Sequence, residues 1–543
     1  MKKWKCGWLP LALMWTLWPL AAVADNYPRQ PGIDVQHYVL RVALNDDNDE
    51  IAGHTTVTVR FVKDGLPEFW LDLASPKDGK GMTVTDVSIG DISLRFTHQL
   101  DRLTIKLQAP SKAGDVRQYD IQYHGVPAGG LKMLKNKYNE RCFFSTNWPT
   151  FARQWLPMID HPYDKATSEF LVTAPSKYQV VANGALQEQI DVGDGRRMTH
   201  WKQSVPIASW LNNIGVAQFA MRRFTTVLGI PLATWVFHQD RDAGIVSLET
   251  PMRQGLEFFS DAVGQYPYEK LDGVEAAGMT GGMEHASEVF YGQTSIGNRP
   301  QSSLVWHEIS HQWFGDSVTE KDWDDAWLSE GFATYFAFLA QEHFEGRDAF
   351  VASMKRSRTA ILALEKRPSP EAVIHDNLPE IAEGHSPAGI VYQKGGWTLH
   401  MLRGQMGNDK FWAGIREYYR RYRNGNASTA DFQQVMEEAL GADLGWFFQQ
   451  WLYRTGSPAV EGTWTYDAES KKIELDLTQT QAGDVYRLPL DVSVSAQTSP
   501  IKIEKIEMSA KQQKFEIAAE KEPAAVELDP NVWLLMDVKF GKR

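Results

Sequence analysis

The sequence predicts a multidomain α+β protein with an N-terminal antiparallel β domain, a mostly helical middle domain and a small C-terminal β-sandwich. Three observations lead there. Over residues 38–219, short stretches alternate apolar and polar side chains between Gly, Pro, Asn and Asp, the mark of half-buried strands joined by turns. Over residues 251–451 the apolar residues recur at helical spacing instead. After Gly456-Ser457-Pro458 the alternation returns and runs to the end. A chain of 543 residues, 43 % of them hydrophobic, is long enough for about three to four domains and needs no disulfide staples to bury its cores.

Taken in order, the chain opens with Lys2, Lys3 and Lys5 ahead of an apolar run over residues 8–23, broken by Pro10 and Pro19 and closed by Ala22-Val23-Ala24. That is the pattern of a secretory signal peptide over 1–24, cleaved after Ala24. It is shorter than the roughly 20 apolar residues of a membrane span. The expectation is an exported protein, periplasmic or secreted, with no membrane span. Strands such as 55–61 and 103–107 build a first domain over 25–219. Helices near 252–263, 304–314, 328–342 and 411–422, punctuated by Gly264, Pro267 and Pro370, build a second over 220–456. Strands near 472–477 and 486–494 build a third over 457–543.

Charge and cysteine content exclude several functions. The formal net charge is −12, and removing the three leader lysines from 56 basic residues set against 68 acidic ones takes it to −15. Nothing in the pattern is a basic patch, so no nucleic-acid partner is expected. Cys6 lies in the leader and leaves Cys142 alone, which rules out an intramolecular disulfide in the mature chain.

The chemistry is concentrated in His307-Glu308-Ile309-Ser310-His311. On a helix, positions i and i+4 share a face, so the two imidazoles can bind one ion. Glu308 is offset around the helix and can reach a water on that ion without being a ligand. A catalytic zinc site wants a third protein ligand and an open position. Glu330, nineteen residues after His311 on the next helical stretch, is the candidate. By chance, H-E-x-x-H arises in about one chain in fifty of this composition, and the added glutamate lowers that to about one in a thousand.

With Trp327-Leu328-Ser329-Glu330-Gly331-Phe332-Ala333 downstream, Gly281-Gly282-Met283-Glu284-His285 upstream and Tyr392-Gln393-Lys394-Gly395 further on, the chain resembles the M1 family of zinc aminopeptidases, the gluzincins. The resemblance implies a thermolysin-like, mostly helical zinc catalytic domain, one Zn(2+) held by His307, His311 and Glu330, and Glu308 as general base. It implies that Tyr392 stabilises the oxyanion, that Glu284 binds the free amine of a peptide substrate, and that Gly281, Gly282 and Met283 line the substrate backbone. Three departures from the family pattern stand out. His285, counted with the substrate-binding residues, replaces the asparagine of G-x-M-E-N; its imidazole can donate and accept much as the amide does, so an adjusted substrate preference rather than inactivity is expected. Trp148, five residues before Arg153, occupies the place of a second amine-binding Gln or Glu; an indole accepts no hydrogen bond, so weaker selectivity for a free amino terminus is expected. The helical C-terminal domain of larger members is missing, which leaves either a more open cleft or a homo-oligomer that covers it. The rival functions are a zinc endopeptidase, an epoxide hydrolase on the same site, and a non-catalytic peptide-binding protein of the same fold.

Overall fold

A computed structural model describes residues 25–367, 370–378, 389–495 and 502–543; the leader reading, 1–24, lies outside them. The N-terminal domain is built on an eight-stranded sheet with Ile33–Ala43 and Lys165–Pro175 at its centre. The sheet is not purely antiparallel as expected. Ile33–Ala43 pairs in parallel with Lys165–Pro175, from His37 opposite Thr167 to Ala43 opposite Thr173. Partners this far apart in sequence are not joined by a hairpin, and nothing in local alternation sets their direction. Both strands carry the inside-outside burial that their alternation predicts.

The middle domain contains a sheet that its helical periodicity does not announce. Phe219–Arg223, Leu232–Phe237, Leu271–Ala276, Glu288–Gly292 and the two-residue strand Gly282–Met283 lie side by side in that order. Leu232–Phe237, Leu271–Ala276 and Glu288–Gly292 are buried at every position. Parallel strands covered on both faces lose the period-2 signal, and the pairings from Leu232 to Leu271 and from Asp272 to Glu288 are parallel. Gly282–Met283 sits at the edge of this sheet.

The longer helices of the domain among the described residues are Thr250–Ala262, Ser302–His311, Trp327–Glu345, Arg347–Leu364, Gly395–Met406, Asn408–Tyr422 and Thr429–Leu440. Trp306, Trp313, Trp323, Trp327 and Trp397 are among the largest fully buried side chains. Beyond them, a four-stranded and a three-stranded sheet make the C-terminal sandwich. Among the described residues no helix is long and apolar enough to cross a membrane.

Buried polar side chains tie the N-terminal domain to the middle one. Lys165 Nζ donates to the carbonyls of Asp316, Ser317 and Gly425 and to Thr319 Oγ1 at 2.8–3.2 Å. Asn183 Nδ2 donates to Leu211 O and Ala286 O, and its Oδ1 accepts the amide of Asn213. Asn183 is 2 % exposed, so Asn183→Ala strands three buried backbone groups at about 1–3 kcal/mol each. A melting temperature lowered by several degrees, read by calorimetry, is the expected outcome.

Candidate active site

The helix Ser302–His311 places His307 Nε2 3.2 Å from His311 Nε2. Trp327–Glu345 packs against it and brings Glu330 Oε2 to 3.4 Å from His307 Nε2 and 3.3 Å from His311 Nε2. Tetrahedral zinc with bonds of about 2.0–2.1 Å separates its ligands by about 3.4 Å, so this triangle has the size the ion demands. Glu330 Oε2 is buried and has no hydrogen-bond partner among the described residues. Three converging lone-pair atoms repel one another unless a cation sits between them, and imidazole and carboxylate together suit zinc.

Neighbouring groups orient these ligands. His311 Nδ1 lies 3.2 Å from Phe314 O and 3.0 Å from Ser329 Oγ, which leaves Nε2 free for an ion. A Cβ on Gly315, whose φ is +115°, would come within 2.3 Å of Ser329 Oγ and 3.1 Å of His311 Nδ1. Burial opposes ionisation of Glu330, but His311 and His307 outweigh it and hold its pKa at about 2.

Glu308 and Glu284 gather on the same centre, with ligand atoms of Glu284, Glu308 and His311 all within 4.8 Å of one another. Burial, and then the charge of Glu284, push Glu308 well above the usual carboxylate range. Burial likewise raises Glu284 to about 7, and Glu284 Oε1 has no hydrogen-bond partner among the described residues. The backbone of Gly282 lies directly on Glu308: a Cβ there would be 2.4 Å from Glu308 Cγ, Cδ and Oε1. Gly281, at φ +73°, precedes the edge strand, and its carbonyl accepts the amide of Gly292 at 2.8 Å.

Tyr392 reaches the site from the π-helical turn Gly389–Lys394. Its hydroxyl donates to Glu330 Oε1 at 2.7 Å, and its ring stacks on that of His307 with centroids 6.1 Å apart. Burial, with the charge of Glu330, keeps the phenol protonated. The approach depends on glycine: a Cβ on Gly331 would lie 2.9 Å from Gly395 Cα and C, so the two helices touch backbone to backbone beside Glu330. Lys394, fully buried, fixes the turn by donating to Glu365 Oε1 and to the carbonyls of Arg454 and Gly456.

The remaining motif residues are placed differently. His285 is fully buried, its ring meets Phe290 edge-on at 4.7 Å, and neither nitrogen has a partner among the described residues. The loop is held by Gln312, which sequence reasoning did not single out. Gln312 Nε2 donates to Glu284 O at 3.0 Å and to Asp316 Oδ2 at 2.7 Å, and its Oε1 accepts the amide of Ser287 at 2.8 Å. Its position next to His311 on a helix with few exposed residues was the available signal. Met283 pairs with Phe290, and Trp148 is half-buried with its ring edge-on to Trp323 at 6.3 Å.

An H-E-x-x-H helix with its third ligand on the following helix, beside an edge strand, defines a metallopeptidase-type centre of the gluzincin class. Residues 248–451 match the Peptidase family M1 domain and residues 34–211 the Peptidase M1 N-terminal domain, so the chain belongs to peptidase family M1. It is similar to the glutamyl aminopeptidase of Mus musculus, 27 % identical over 487 residues, which is 83 % of this chain and 50 % of that protein. Aminopeptidase A of Gloydius brevicauda is 29 % identical over 475 residues, covering 82 % of this chain and 48 % of that one. The chain spans about half the length of the curated relatives it matches. A crystal structure of the M1 zinc metallopeptidase from Deinococcus radiodurans superposes with a TM-score of 0.68 at 26 % identity, covering 79 % of this chain and 95 % of that chain.

Two outcomes follow from this geometry. Gly282→Ala displaces the Glu308 carboxylate and is expected to cut kcat at least a hundredfold while bound zinc, counted by atomic absorption, stays at the wild-type level. Burial holds the His285 pKa down at about 3, against 6.5 when exposed. The unfolded chain therefore binds the extra proton between those values, and stability from this residue is complete above about pH 6.5 and lost as pH falls toward 3. His285→Asn should flatten that part of the acid limb of a melting-temperature profile.

Proposed function

We propose that the chain is an exported, zinc-dependent aminopeptidase that binds one zinc ion and removes residues singly from the amino terminus of peptides. Glu284 carries this reading. It is a buried carboxylate with an unpartnered oxygen beside the general base, and a fixed anion there favours a substrate whose ammonium group lies next to the bond to be cut. His307, His311 and Glu330 would hold the zinc, which as a Lewis acid polarises a carbonyl and acidifies water.

The other steps belong to the protein. The edge strand Gly282–Met283 offers unpaired backbone groups to an extended substrate. Glu308 takes the proton of the attacking water and passes it to the leaving amine; its raised pKa suits both halves of that exchange. Tyr392 turns its hydroxyl from Glu330 to the substrate oxygen as negative charge grows there, and its retained proton makes it a donor. An endopeptidase has no use for Glu284, and a non-catalytic binder none for Glu308. The signal-peptide pattern supports the exported location.

The test uses amino-acid anilides. The wild-type chain should hydrolyse the free-amine substrate, lose activity to a chelator and regain it with zinc. Glu308→Gln should lower kcat by at least about a hundredfold, and Tyr392→Phe by about 10²–10³-fold, both with zinc retained. Unchanged activity in Glu308→Gln would refute the catalytic reading, and equal rates on an N-acetylated anilide would refute the aminopeptidase one.

A further inference from the structure

We propose that the seam between the N-terminal and middle domains holds a second small-molecule site, which takes a free amino acid with an apolar side chain. A cavity of about 330 Å³ lies there, and none of its lining residues belongs to the site described above. Its volume is within the range of sites that enclose small ligands. The floor is a row across the middle sheet. Arg223 pairs with Ala233, Ala233 with Asp272, and Asp272 with Glu288, and residues directly opposed in register share a face. Ala233, the one small side chain in that row, leaves space above it. The facing wall comes from the N-terminal domain, where Leu186 pairs with Trp201 between the strands Ala185–Gly193 and Arg196–Ala208. Leu186, Trp201, Phe224 and Trp235 all line the cavity, and the two indoles meet edge to face at 6.3 Å.

The charges on the wall are of two kinds. Lys270 and Asp272, 6 % and 4 % exposed, satisfy each other. Lys270 Nζ donates to Asp272 Oδ2 at 2.7 Å and to Glu288 Oε2 at 3.1 Å, and it lies 4.1 Å from the centre of the Trp201 ring. Trp235 Nε1 donates to the same Asp272 oxygen at 3.1 Å. That group needs no further partner. Arg223 and Glu269, which also line the cavity, are not spent in this way. The neighbouring Arg222 pairs with Glu249, whereas Arg223 has no ion pair or hydrogen bond from its side chain among the described residues. Glu269 Oε1 accepts the amide of Ser204 at 2.8 Å, and its Oε2 has no hydrogen-bond partner among the described residues.

One cation and one anion therefore remain open beside an aromatic wall. A zwitterion answers both. Its carboxylate suits the fork of the Arg223 guanidinium, its ammonium group suits the Glu269 carboxylate, and its side chain covers apolar surface of Trp201 and Phe224. A ligand with only one of the two charges leaves the other group uncompensated. Under the proposed function, such a ligand is of the class that the chain releases.

The experiment is isothermal titration calorimetry of the full zinc-loaded chain with L-phenylalanine, while a zinc-chelating hydroxamate saturates the metal centre. Binding of one phenylalanine per chain is expected. N-acetylphenylalanine and phenethylamine, each lacking one charge, are expected to bind about tenfold more weakly or worse, as is phenylalanine itself to Arg223→Gln. Thr226 is exposed and lines the cavity, so Thr226→Trp fills it from the rim and is expected to abolish binding. Both variants should hydrolyse leucine 4-nitroanilide with wild-type kcat and KM. Absence of wild-type binding with the metal centre blocked, equal affinity for the three ligands, or undiminished binding in either variant overturns the assignment. A KM that changes in step with the lost binding places the ligand at the metal centre and overturns it too. If a variant fails to fold, the ligand series on the wild-type chain decides. Because calorimetry needs no turnover, a chain that binds phenylalanine but cleaves no anilide refutes the aminopeptidase reading and leaves this site standing.

Discussion

The centre of this molecule answers to one electrostatic constraint: Glu284, Glu308 and Glu330 are each at most 5 % exposed, around two imidazoles. Buried acids at this density are tolerated only where they are protonated or matched by cations. Two cations of different kinds are called for. The triangle of His307, His311 and Glu330 suits a metal, and under the proposed function the ammonium group of a substrate supplies the second. The same excess of negative charge suits a metal and, under the proposed function, a substrate's amino terminus. It also gives Tyr392 its retained proton, because a phenolate beside Glu330 would add to the excess.

Satisfying that constraint requires backbones to approach more closely than side chains allow. Gly282 brings the edge strand onto Glu308, and the Gly331–Gly395 contact brings the helix bearing Glu330 against the turn bearing Tyr392. Each contact places a site residue by main-chain geometry, which changes little with side-chain rotamer. Catalysis is sensitive to displacements of about 1 Å, so rigid supports of this kind are what the chemistry needs.

The flanking domains complete the support. Lys165 and Asn183 reach from the N-terminal domain to the carbonyls of the loops that follow the zinc helix and precede Glu288. On the other side, Lys394 reaches Gly456 O at the start of the C-terminal sandwich, and His400 Nε2 lies 2.8 Å from Val532 O within it. Buried side chains bonded to backbone carbonyls hold the domains in register, since breaking them strands groups that cannot reach water.

Local sequence determined what local geometry can determine. The i, i+4 spacing put His307 and His311 on one helical face, and a helix at Glu330 was legible from periodicity alone, because both follow from 3.6 residues per turn. Alternation likewise marked the strands of the outer domains. The parallel strands Leu232–Phe237 and Leu271–Ala276 were not legible, since burial on both faces erases alternation. Nor was Gln312 legible, because neither residue type nor spacing states what a side chain faces. Only the tertiary structure decided that Glu330, 62 residues before Tyr392 in sequence, accepts its hydroxyl, and that His285 turns into the core. Convergence of residues far apart in the chain depends on how whole elements pack, and packing is a property of the assembled core that no single segment carries.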